Sequence, residues 1–145
     1  PPAGAAAATG SPRDGAGPLG QGDRTVVIDG DRQGHFLAGT AVEGRHLTMM
    51  VDTGATIVAL THEDAAAVGI RPAPTDYRAR MSTANGEVAA ARVRIREIRI
   101  GEIYVRDVDA VVMPRGRLRT SLLGMSFLRQ LRGFDIAQNR LTLRG

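Results

Sequence analysis

From Thr25 onward the chain is written in short apolar runs broken by turn residues, a texture that predicts β-structure. Val26-Val27-Ile28 predicts a strand, followed by a turn at Asp29-Gly30-Asp31. His35 to Val42 and Arg45 to Val51 predict the arms of a hairpin turned at Glu43-Gly44, where the glycine supplies a positive φ. Tyr77 to Thr83 and Glu87 to Ile100 predict a second hairpin, joined at Ala84-Asn85-Gly86. Asn-Gly is a strong signal there, because a type I′ turn needs positive φ at both central residues. Along the second arm the apolar parity switches near Arg96-Glu97, which predicts a bulge or bend. Ile103 to Met113 predicts a further strand, and Phe134-Asp135-Ile136 with Leu141-Thr142-Leu143 a closing hairpin turned at Gln138-Asn139.

Two short stretches depart from this pattern. Thr61, followed by Glu63 and Asp64, predicts a helix start with a hydroxyl cap and carboxylates at the positive end of the dipole. The helix Glu63 to Val68 then stops at Gly69. Leu122-Leu123-Gly124 reads as a buried strand and a glycine, and Phe127, Leu128 and Leu131 give one apolar face to a helix after them. The fold class expected is mostly β with one or two short helices. Residues 1–24 are mostly Ala, Gly and Pro with a few polar residues, show no periodicity and read as a flexible linker, leaving 25–145 as one domain.

Composition narrows the chemistry. With 145 residues, 43% hydrophobic and 3% aromatic, the chain suffices for one core built from aliphatic side chains. The absence of cysteine excludes disulfide scaffolds, thiolate metal sites and thiol nucleophiles. The net charge of +4 comes from arginines alone, and these are scattered with acids between them, so no nucleic-acid partner is expected. His35, His46 and His62 lack metal-ligand spacing, and neither a metal nor another cofactor is expected. No apolar run reaches the roughly 18 residues that span a bilayer. The start at Pro1 is read as that of a processed protein or a fragment, with any signal or anchor upstream.

The residue that demands explanation is Asp52. It stands in Asp52-Thr53-Gly54-Ala55, directly after the apolar run Leu47 to Val51 and before Thr56-Ile57-Val58-Ala59-Leu60. A carboxylate beside so much apolar surface costs several kcal/mol unless hydrogen bonds or a shared proton compensate. Gly54 permits close backbone approach, so that an N–H can reach the carboxylate. Asp107 and Asp109 share a strand face but neither is followed by Thr-Gly or Ser-Gly, and they read as solvated strand carboxylates. Ser121 and Ser126 have no nucleophile-elbow context.

In order, the chain holds Val51-Asp52-Thr53-Gly54-Ala55-Thr56, then Thr83-Ala84-Asn85-Gly86, then Leu122-Leu123-Gly124-Met125-Ser126-Phe127-Leu128, with Gly34-His35-Phe36 before the first hairpin. In these residues it resembles the retropepsin-like aspartic proteases, and more closely their bacterial single-domain branch of membrane-anchored periplasmic enzymes. The resemblance runs from Val26 to Leu143.

It implies an acid-protease fold, a closed retropepsin-like β-barrel, and an aspartic endopeptidase that needs two carboxylates sharing one proton. A chain with one such turn implies a homodimer in which each copy contributes Asp52. Thr53, Gly54 and Ala55 support the active site, Thr53 by a hydroxyl that bonds across to the partner loop. Thr83, Ala84, Asn85 and Gly86 form a flap over a peptide or protein substrate, and Leu122 contributes to substrate binding while Leu123 joins the core. Activity is expected at acidic to mildly acidic pH. Where many viral relatives carry an Arg-Asn pair after the equivalent glycine, this chain has Met125-Ser126, so its dimer contacts differ. The resemblance also implies a periplasmic or inner-membrane-anchored location, reached only through a segment upstream of this chain. Self-processing within the Pro1 to Gly22 segment is a further expectation. The rival reading is the same fold kept as a catalytically silent peptide-binding or dimerisation module; another is a solute-binding or structural β-barrel, a stable monomer with Asp52 exposed.

Overall fold

The computed structural model describes residues 24–145, so the linker expected over 1–24 lies, but for Arg24, outside the described residues, as does any processing within Pro1 to Gly22. The chain forms β1 (Thr25–Asp29), β2 (Phe36–Val42), β3 (Arg45–Val51), β4 (Val58–Leu60) and helix α1 (His62–Ala67). A 3-10 turn over Pro74–Asp76 then leads to β5 (Tyr77–Thr83), β6 (Gly86–Ile100) and β7 (Ile103–Val112). β8 (Leu122–Leu123), helix α2 (Met125–Leu128), β9 (Gly133–Ala137) and β10 (Arg140–Arg144) complete it.

Seven strands pair in the order β2-β3-β8-β4-β7-β6-β5, and β2 also pairs with β6 through Ala41↔Arg99 and Val42↔Ile98. The sheet therefore bends into a ring closed by a two-residue seam, less regular than the barrel expected. β9, β10 and β1 form a second, three-stranded antiparallel sheet that ties the start of the domain to its end. Inside the ring lies an aliphatic core in which Val42, Met49, Ile95, Ile98, Val108, Leu123 and Phe127 are completely buried. A smaller cluster of Ala59, Val88, Ala90, Val111 and Met113 sits apart from it.

β6 is long enough to serve both cores, and its parity shows where it passes between them. Val88 and Ala90 face the small cluster, whereas Ala91, Ile95, Ile98 and Ile100 face the main core. The change at Ala90-Ala91 coincides with a register shift in β5 between Tyr77 and Ala79, where the extra residue Arg78 is accommodated. The second change falls at Arg96-Glu97, as the sequence predicts, but no register is lost: Ile95↔Val108 and Glu97↔Arg106 keep one frame. Both strands change burial parity together, with Asp107 at φ 56° in the opposite strand.

The hairpin turns separate into two kinds. Glu43 and Gly44 both hold positive φ (52° and 82°), as do Gln138 and Asn139 (54° and 60°), and each pair closes a two-residue type I′ turn. Glu43 tolerates this conformation because its carboxylate accepts the Arg96 N–H at 2.9 Å and its own N–H donates to the Glu97 carbonyl at 3.0 Å. The type I′ turn expected at Asn85-Gly86 does not form. Thr83 pairs with Gly86, so the turn residues are Ala84 and Asn85, and positive φ falls on Gly86 alone (105°).

Helix α1 starts at its predicted cap, where the Thr61 hydroxyl accepts the Asp64 N–H at 2.9 Å. It ends one residue before the expected Val68, which becomes the C-cap ahead of Gly69 at φ 86°. Helix α2 is a single turn: Leu131, expected on its apolar face, follows it in a tighter bend, with its N–H donating to the Leu128 carbonyl at 3.1 Å. No helix among the described residues is long and apolar enough to cross a membrane.

Candidate active site

The turn that carries Asp52 connects β3 to β4, and these two strands do not pair with each other. β8 lies between them, parallel to β3 through Met50↔Leu122 and Val51↔Leu123, and antiparallel to β4 at Ala59↔Leu122. The turn is thus straddled by a strand from far along the chain. The Asp52 N–H donates to the Leu123 carbonyl at 3.2 Å, and the Met125 N–H donates to the Ala55 carbonyl at 2.8 Å.

The approach is so close that residue 124 must be glycine: a Cβ there would lie 2.5 Å from the Ile57 carbonyl oxygen and 2.7 Å from that of Ala55. Both obstructions are backbone, which cannot rotate aside.

Within the turn the Gly54 N–H donates to Asp52 Oδ1 at 2.9 Å, the contact expected of a residue without Cβ. A Cβ at Gly54 would stand 3.3 Å from the same oxygen. The Ala55 N–H closes the turn on the Asp52 carbonyl at 3.1 Å. Asp52 and Ala55 are half-buried, while Thr53 and Gly54 are exposed, and the Thr53 hydroxyl makes no hydrogen bond among the described residues. The burial anticipated for the carboxylate is therefore not provided by its own chain. The apolar residues before and after it, Val51 and Val58, are buried, but the turn itself projects out of the core.

Two serines that carried no signal in the sequence fix this arrangement. Ser126 Oγ accepts the Val58 N–H at 2.9 Å and donates to the Asp109 carbonyl at 2.7 Å, pinning the start of β4 to β7. Ser121, completely buried, accepts the Thr61 N–H at 3.0 Å and donates to Asp64 Oδ2 at 2.6 Å, while its carbonyl accepts the Met50 N–H at 2.9 Å. One serine on each side of Leu122-Leu123-Gly124 thus bolts that segment to both arms of the Asp52 turn. Their side-chain partners lie between 17 and 68 residues away, so no local pattern points to them.

Leu122 is half-buried and packs with Ile57, Met81 and Leu118 against the small cluster, whereas Leu123 points into the main core. Met81 and Val88, paired across β5 and β6, bring the second hairpin to the same cluster. The hairpin tip lies beyond it. Thr83 Oγ1 clasps that tip, accepting the Asn85 N–H at 3.1 Å and donating to the Gly86 carbonyl at 2.6 Å. Ala84, Asn85 and Gly86 are exposed, and no hydrogen bond among the described residues joins them to the Asp52 turn. The sequence motifs therefore converge through Asp52, Ala55, Leu122 and Met81, with the tip standing free.

Among the described residues, no cluster of His, Cys, Asp or Glu has the composition to hold a metal. Asp107 and Asp109 are exposed on β7, and Asp109 is paired with Arg94 at 3.2 Å. The turn braced by β8 thus presents a single carboxylate, Asp52, oriented by a backbone N–H.

The family described as "gag-polyprotein putative aspartyl protease" matches residues 38–130, which enclose the Asp52 turn, the Thr83–Gly86 tip and the Leu122–Leu128 segment. A protein of Sinorhizobium sp., "Uncharacterized protein in cobV 5'region", is 42% identical over 124 residues, 86% of this chain and 53% of the relative. "Uncharacterized protein RP867" of Rickettsia prowazekii is 36% identical over 118 residues, 81% of this chain and 50% of the relative. The chain spans about half the length of these curated relatives. Among solved structures, a retropepsin-like aspartic protease from Rickettsia conorii matches with a TM-score of 0.73 and 36% identity, over 83% of this chain and 89% of that one. The EIAV protease in complex with the inhibitor HBY-793 matches with a TM-score of 0.57 and 17% identity, over 70% of this chain and 91% of that one, a likeness of fold.

Proposed function

Since the chain belongs to the retropepsin-like aspartyl protease family, we propose that it is an aspartic endopeptidase whose active site is completed when two copies each contribute Asp52. The observation that carries this reading is the Asp52 turn itself: a carboxylate oriented by the Gly54 N–H, braced from behind by Leu123 and Met125, with no second carboxylate beside it among the described residues.

A second copy about a two-fold axis brings the partner carboxylate to that open side. The Thr53 hydroxyl, which has no hydrogen-bond partner among the described residues, bonds to the partner's turn and locks the two together. The paired carboxylates then share one proton. The ionised one takes a proton from water, whose oxygen attacks the scissile carbonyl carbon, while the protonated one donates to the carbonyl oxygen. Collapse of the resulting diol breaks the C–N bond as a proton passes to the departing amine. Because the pair titrates as a unit, activity falls in the acidic to mildly acidic range. The Thr83–Gly86 tip, tethered through Met81, closes over an extended peptide and excludes water. Leu122 walls the cleft.

Asp52→Asn is expected to abolish cleavage of a denatured protein substrate between pH 3 and 7, a window set roughly by carboxylate titration, with unchanged circular dichroism. Residual cleavage by a purified, folded variant would overturn the assignment. For the whole protein we place the enzyme in the bacterial branch of the family, in the periplasm or at the inner membrane, held by a segment upstream of this chain. Fractionation of cells making the full-length protein tests that location, and recovery in the cytoplasmic fraction rejects it.

A further inference from the structure

The segment that braces the Asp52 turn also carries an unbalanced charge. From Ala110 to Phe134 the chain has five arginines and no aspartate or glutamate. Three of the arginines alternate in the loop between β7 and β8, as Arg115, Arg117 and Arg119. Arg115 is paired with Glu63 at 3.8 Å. Arg117 and Arg119 are exposed, and their side chains have neither an ion pair nor a hydrogen bond among the described residues. Between them Leu118 is half-buried and packs in the apolar cluster that holds Ile57, just beyond the Asp52 turn, together with Met81 of β5 and Leu122. Leu118 thus fixes this loop to the same apolar cluster as Ile57, Met81 and Leu122, and the two uncompensated cations flank the point of attachment.

We infer that the cleft selects acidic peptides: segments with an aliphatic side chain for the Ile57–Met81–Leu118–Leu122 wall and aspartate or glutamate beside it for Arg117 and Arg119. Guanidinium groups in a fixed fork favour carboxylates. A local excess of positive charge at the rim speeds the encounter with an acidic chain and disfavours a basic one. This rests on the proposed protease reading for the position of the cleft, but its charge argument is independent of catalysis.

The test uses the Asp52→Asn chain as a binder and three fluorescein-labelled decapeptides with one aliphatic centre, flanked by glutamate, glutamine or lysine. Anisotropy titration at low salt is expected to rank them Glu, Gln, Lys, with about threefold to tenfold between the extremes, as exposed charge pairs deliver. The spread should collapse in 0.5 M NaCl, where the screening length is only a few ångström, roughly. It should also collapse in a folded Arg117→Gln, Arg119→Gln background. Equal affinities, absence of binding by any of the three, or a ranking that survives the double substitution overturns the inference. The parent chain separates the two readings: cleavage of all three peptides at equal rates keeps the protease and removes the selectivity. Ranked binding without any cleavage removes the protease and keeps the acidic-peptide surface.

Discussion

At the scale of single residues, the site depends on groups that never touch a reacting atom. Ser126→Ala deprives both the Val58 N–H and the Asp109 carbonyl of their partner. Leaving such groups unsatisfied costs about 1–3 kcal/mol, which a urea midpoint will register, and the loosened turn should lower turnover as well. Ser126→Thr keeps the hydroxyl and should recover part of both; equal loss in the two variants would count against the hydrogen bonds as the cause. Gly124→Ala is expected to be more damaging, because the new carbon meets two backbone carbonyls and can be relieved only by separating β8 from the Asp52 turn. The sequence identifies Gly54 and Gly124 through their motifs, since each permits one close approach. It is silent on Ser121 and Ser126, whose meaning comes from chain segments brought together by folding. Burial of Asp52 was the misleading inference: apolar neighbours in sequence bury Val51 and Val58, while the turn between them leaves the core.

At the scale of elements, the three hairpins were legible because each is local, pairing residues across a turn whose chemistry lies in the sequence. What local reading missed at the second hairpin was one residue of phase. Gly86 belongs to the ladder opposite Thr83, so its positive φ follows the turn and does not form it. Thr83 then becomes the clasp, and Thr83→Val, which removes both hydrogen bonds, should speed amide exchange at Asn85 and Gly86 while leaving β6 beyond Val88 protected.

The bend between β1 and β2 has a clasp of its own. Asp31 accepts the His35 and Gln33 N–H groups at 2.9 Å each, and the His35 bond foremost holds its carboxyl below the ordinary 3.8. A depressed folded pKa contributes stability above the ordinary carboxylate range and loses it as pH falls through the folded value. Asp31→Asn should therefore be less stable than the parent at pH 7, and the gap should close toward pH 2 (roughly two units below that range). A gap unchanged by acid would show that the charge is immaterial.

At the scale of the whole molecule, a ring of strands with Asp52 at an open turn makes the proposed activity depend on assembly. If the active species contains two chains, specific activity must rise with enzyme concentration until dimers predominate. Specific activity flat across a hundredfold dilution, with sedimentation showing monomers throughout, would reject the two-chain enzyme. Mostly β architecture was readable from alternation and turn residues, but the ring closure was not, since the Ala41↔Arg99 and Val42↔Ile98 seam joins strands far apart in sequence. The insertion of β8 between β3 and β4 has a temporal consequence. Asp52 leaves the ribosome long before Leu123, Gly124 and Ser126, and until they follow, its turn lacks the strand that shapes it. Long-range pairings of this kind also form slowly. A nascent chain halted anywhere before residue 126 therefore carries the Asp52 tetrapeptide without the brace that shapes it, and the turn is assembled only once Leu123, Gly124 and Ser126 have joined it.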